Sequence, residues 1–114
     1  MPKASRATKA LPAAAVKAIE LLGHDIAIAR TRRRISQRLF AERMLVSLDT
    51  VQRLEHGDTA VSLGVVATAL WALGLTNRLA ALASPDDDLV GKTEEMRRLP
   101  RRVRTPRPDT NLDF

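Results

Sequence analysis

Ser36 and Ser47 each stand directly before a short run in which large apolar residues recur three or four positions apart, and Gly57 closes the second run. A serine in that place accepts a hydrogen bond from an N–H of the first helical turn. A glycine just past the last turn takes the left-handed conformation that ends a helix. The spacing predicts one helix from Gln37 to about Met44 and another from Leu48 to about His56, joined only by Leu45, Val46 and Ser47. Helices this short are not stable alone, so they must pack on each other and on further elements. Phe40, Met44, Val46, Val51 and Leu54 supply the inward faces, and small Ala41 lets the two helices approach closely.

The flanking sequence is helical as well. From Pro12 a run of alanines favours helix, with Ile19, Leu22, Ile26 and Ala29 forming one apolar stripe and Ala14, Leu21 and Ile28 a second. Two stripes call for two partners, the domain core and a second subunit. Gly23 is read as the break between a leading helix and the first helix of the core. Arg32-Arg33-Arg34 ends that helix, where cations meet the negative end of the dipole. Ser62 caps a fourth helix, Leu63 to Leu73, closed by Gly74, and a fifth runs from about Thr76 to Ala83 before Ser84-Pro85. No segment alternates as a strand does, so the fold class is all-α. The fourth helix is apolar nearly all round, and a symmetric dimer would cover the excess. Trp71, Leu75, Leu79 and Leu82 are the candidate interface residues.

A chain of 114 residues holds one small domain with tails. Residues 1–11 read as a flexible basic arm, 12–83 as the domain, and 84–114 as an acidic hinge followed by a basic Pro/Arg-rich tail. Nineteen basic residues against 13 acidic ones give a net charge of +6, which suits a polyanionic partner. Residues 84–96 hold five acids and one lysine, whereas 97–114 hold six arginines and two aspartates. Pro100, Pro106 and Pro108 exclude a helix there and favour an extended segment. Three jobs are open to Arg101, Arg102, Arg104 and Arg107: a DNA arm, a peptide docking on a protein partner, or a solvated tail. The absence of cysteine removes disulfides and thiolate metal sites. With no long apolar run, the expectation is a cytoplasmic protein that engages no membrane.

An enzyme is not indicated. His24 and His56, the only histidines, fall on different helices, and no glycine-rich phosphate loop occurs. Asp86-Asp87-Asp88 reads as a solvated or helix-capping run, so no metal and no cofactor are expected.

Leu22-Gly23, Arg30, Ser36-Gln37, Ala41, Val46-Ser47, Thr50-Val51, Leu54-Glu55, Gly57 and Leu73-Gly74-Leu75 form one ordered set. Through them residues 22–79 resemble a lambda repressor-like helix-turn-helix domain of the xenobiotic response element (Cro and phage-repressor) family. The resemblance implies a five-helix DNA-binding domain with its helix-turn-helix at 36–56, to which the residues read above add an N-terminal helical extension and an extended basic C-terminal tail. It also implies a bacterial, nucleoid-associated transcriptional regulator, a homodimeric repressor that binds double-stranded operator DNA of its own operon.

Carried across, Gln37, Leu48, Asp49, Gln52 and Arg53 fall at base-reading positions, and Ser36, Arg38, Ser47, Thr50 and His56 near phosphates. Arg30 and Glu55 match a structural salt bridge between the first and third helices. The chemistry is independently sensible. Arginine presents two donors to guanine, glutamine serves adenine, an apolar side chain meets the thymine methyl, and an acid accepts from the cytosine amino group. Two residues depart from the family pattern. Leu45 stands where glycine is usual and a left-handed backbone is favoured, a cost of about 1 kcal/mol that a looser turn or altered helix packing would absorb. Phe40 replaces the commoner leucine. With its tail, including Leu99-Pro100-Arg101-Arg102-Val103-Arg104, the chain also resembles antitoxins of the HipB type, which hold a HipA-type kinase toxin. The competing expectation is a protein-interaction module that keeps this fold without specific operator binding, for which Leu48 and Asp49 on the reading face speak.

Overall fold

The computed structural model describes residues 10–99. Of the arm read over 1–11, residues 1–9 lie outside the described residues, as do Arg101, Arg102, Arg104 and Arg107 of the tail. Those described form six α-helices and one 3-10 turn, with no strand among them. In chain order these are α1 (Ala13–Arg32), α2 (Gln37–Met44), α3 (Leu48–Glu55), α4 (Leu63–Ala72), α5 (Thr76–Ala80), the 3-10 turn (Pro85–Asp87) and α6 (Leu89–Arg98). The chain divides into two compact units, residues 10–80 and residues 81–99 of the described segment.

In the first unit α1 packs on α3, α3 on α2, α2 on α4, and α4 on α5. Ile26, Ile35, Phe40, Ala41, Met44, Val51, Leu54, Ala69, Leu70 and Leu73 form the buried core, with Phe40 and Val51 wholly enclosed. The second stripe of α1 faces away from it, leaving Leu21 60% exposed. Ser36, Ser47 and Ser62 each cap a helix, their Oγ atoms accepting from the N–H of Leu39, Thr50 and Val65.

Gly23 does not break the first helix: α1 runs through it unbroken. The glycine is a close-approach residue instead. A Cβ there would run into the carbonyl oxygens of Leu54 and Glu55 and lie 3.0 Å from the N–H of Gly57. That spacing lets the end of α3 lie directly on α1. α5 also ends earlier than the spacing predicts, at Ala80.

All four long-range packing helices stop in the same way. The N–H of the residue after the left-handed one bonds the carbonyl five positions back, and the N–H of the left-handed residue bonds the carbonyl three positions back, a Schellman loop. Ile35 thus returns to Arg30, Val46 to Ala41, Asp58 to Arg53 and Leu75 to Leu70, at 2.7–3.2 Å. The left-handed residue is Arg34 (φ 54°), Leu45 (φ 58°), Gly57 (φ 77°) and Gly74 (φ 76°) respectively. No looser turn absorbs Leu45. It adopts the strained conformation outright and points into solvent, 92% exposed.

The second unit corrects the reading of an acidic hinge. Asp88 caps α6, its Oδ1 accepting from the N–H of Gly91 at 2.9 Å, and Arg97 and Arg98 occupy the last turn. Leu99, which precedes a proline, is extended. Leu89, Val90 and Met96 of α6 are exposed. No helix among the described residues is long and apolar enough to cross a membrane.

Candidate nucleic-acid interface

Val51 and Leu54 anchor α3 in the core, so the residues on the opposite side of the helix must face outward. Asp49, Gln52 and His56 are exposed, while Leu48, Thr50 and Arg53 are half-buried. The start of α2 lies beside α3, with Ser36 and Arg38 exposed and Gln37 half-buried. Arg32, Arg33 and Arg34, just before α2, are also exposed.

Several of these side chains are occupied within the protein. Arg30 Nε donates to Glu55 Oε2 at 2.6 Å and Nη2 to Oε1 at 3.0 Å, while Nη1 donates to the carbonyl of Ile35 at 2.9 Å. Only 12% of the Arg30 side chain and 5% of the Glu55 side chain are exposed. Gln37 Nε2 joins them, donating to Glu55 Oε1 at 2.9 Å. One carboxylate therefore ties the end of α3 to α1 and to the first turn of α2. Gln37 is part of this tie as well as a base-reading candidate.

Ser47 Oγ accepts from the Thr50 N–H at 3.1 Å and lies 2.9 Å from Thr50 Oγ1. His56 Nδ1 sits 2.8 Å from the Gln52 carbonyl. Arg53 Nε donates to Asp58 Oδ2 at 2.8 Å, with 28% and 34% of the two side chains exposed. Asp58 Oδ1 in turn accepts from the Ala60 N–H at 2.8 Å. The hydrogen bond from Arg53, then that from Ala60, holds the Asp58 carboxyl below its ordinary range. The bond to Asp58 and its charge, with a smaller contribution from Asp49, raise the Arg53 guanidinium still further.

Asp58 is the residue that sequence reasoning missed. Five positions separate it from Arg53, which no helical neighbour rule connects. The available signal was Gly57, because a Schellman loop folds the residue after the glycine back over the one five before it.

Of the interface candidates on the apolar surface, Trp71 is 63% exposed and Leu82, in the second unit, is exposed too. Leu75 and Leu79 are half-buried against the first unit's own core. Among the described residues no cluster of three His, Asp or Glu side chains is placed to hold a metal ion. The chain matches no protein-family model, and neither curated proteins nor solved structures give a significant match.

Proposed function

We propose that this chain is a lambda repressor-like helix-turn-helix protein that binds operator DNA as a homodimer and regulates transcription of its own operon. The observation that carries the reading is the outward flank of α3, where Asp49, Gln52 and His56 are exposed with Arg53 beside them while Val51 and Leu54 root the helix. A net charge of +6 and the exposed arginines before and within α2 supply attraction for phosphate. Neither role calls for a catalytic group or a cofactor. The antitoxin role, with a kinase-like toxin as partner, refines this reading and rests on the sequence from Leu99 onward.

The test is affinity for DNA upstream of its own operon against a random duplex, across salt concentrations. A specific reader shows a steep salt slope and a preference of about a thousandfold or more. Equal, weak binding to both favours the second reading, an interaction module without operator recognition. That reading draws on the internal engagement of Arg53 and Gln37. An adjacent kinase-like reading frame whose product co-purifies with this chain would support the antitoxin role.

A further inference from the structure

At the ends of α1, α2 and α4 the residue folded back by the Schellman loop is apolar and at least half-buried: Ile35, Val46 and Leu75. At the end of α3 it is Asp58. Closing such a loop needs only backbone N–H groups, and the usual side-chain companion is an apolar contact. The carboxylate is therefore not required to stop the helix. It is nevertheless fixed in place, because one oxygen is held by the Ala60 N–H and the other receives Arg53 Nε, each at 2.8 Å. The pair lies on the flank of α3 that carries the proposed reading residues.

We infer that Asp58 is a specificity-determining residue of this surface, holding Arg53 in one orientation and offsetting its charge. The inference rests on the DNA-binding reading. An unpaired arginine on that flank is drawn to any phosphate, and attraction of this kind is what supports non-specific binding. Pairing with a backbone-anchored carboxylate removes much of that attraction. It also restricts the side chain before DNA arrives, so less freedom is lost when a base edge is engaged. Arg53 then contributes little to affinity for random DNA and more to the choice of base.

Asp58→Asn keeps an oxygen for the Ala60 N–H and removes the charge. Asp58→Glu keeps the charge and displaces it. Both variants, wild type, Arg53→Ala and Arg53→Ala/Asp58→Asn are compared in selection from a duplex library with a randomised centre. Each is also titrated against one random-sequence duplex over salt. Asp58→Asn is expected to bind the random duplex more tightly at low salt, with a log–log salt slope steeper by about 0.9, one further phosphate contact. It is expected to lose about tenfold in preference at the base pair that Arg53→Ala also loses, within the range of one bidentate contact. Asp58→Glu is expected to restore the wild-type slope but not the full base preference. In the Arg53→Ala background Asp58→Asn is expected to change no preference.

A wild type that selects a sequence beside an Asp58→Asn variant with the same preference overturns this inference and leaves the DNA reading standing. A preference lost in Asp58→Asn and lost again in the Arg53→Ala background also overturns it, since Asp58 then acts without Arg53. A wild type that selects nothing overturns the DNA reading and this inference together. If Asp58→Asn fails to give the wild-type helical circular dichroism, Asp58→Glu decides by the same base-preference criterion.

Discussion

Glu55 accepts three hydrogen bonds, two from Arg30 and one from Gln37, in a setting that leaves its side chain almost no water. Removing one partner of such a pair strands the other charge away from solvent, at about 3–5 kcal/mol. Glu55→Ala should therefore lower the unfolding free energy by about that amount in a urea titration, and a loss under about 1 kcal/mol would show that water reaches Arg30 readily. Leu45 offers the opposite case. Its left-handed backbone costs about 1–2 kcal/mol, part of which a glycine returns through the freedom of the unfolded chain. Leu45→Gly should stabilise the fold by about 0.5–1 kcal/mol, read as a rise in Tm. The Asp58 carboxyl titrates lower in the folded protein because Arg53 and the Ala60 N–H favour its charged form. A depressed carboxyl stabilises fully above its unfolded value and loses that contribution as pH falls through the folded one. The stability gap between wild type and Asp58→Asn, small because the pair is partly solvated, should be largest near neutrality and close in acid. A gap that persists in acid would remove the ion pair as its cause.

Helix α1 and helix α3 meet where Gly23 has no side chain. By propensity alone an alanine would improve the middle of a 20-residue helix by about 1 kcal/mol. The carbonyls of Leu54 and Glu55 forbid it, because the new methyl group would have to push α3 off α1. Gly23→Ala is thus expected to lower Tm despite its better propensity, and a rise would mean that the two helices separate freely. This position illustrates a limit of reading along one strand of sequence. Helix α2 and helix α3 were legible because serine caps, apolar spacing and Gly57 are local signals that agreed. The role of Gly23 was not, since the obstacle belongs to residues more than thirty positions away in the chain. Helix α6 was overlooked for another reason. Its Asp88 cap stands inside a run of three aspartates that reads equally well as a solvated acidic loop.

The first unit encloses a core of ten apolar residues and still leaves Leu21 and Trp71 largely in water. Exposed large apolar groups on a small domain are natural material for self-association. In the homodimer proposed above, Trp71→Glu is expected to shift sedimentation equilibrium toward monomer, whereas an unchanged association constant would exclude Trp71 from the interface. Several properties were set by the linear order of residues: the all-α class, the two capped short helices, the inward faces of both, and the candidate reading positions on the second. All depend on hydrogen bonds and apolar spacings within one or two turns, which a sequence states directly. Three matters were decided only by the tertiary structure: the close approach of α3 to α1 at Gly23, the engagement of Gln37 by Glu55, and the hold of Asp58 on Arg53. Each joins groups that no helical period brings together, and they meet because packing and the left-handed helix ends carry the chain back across itself.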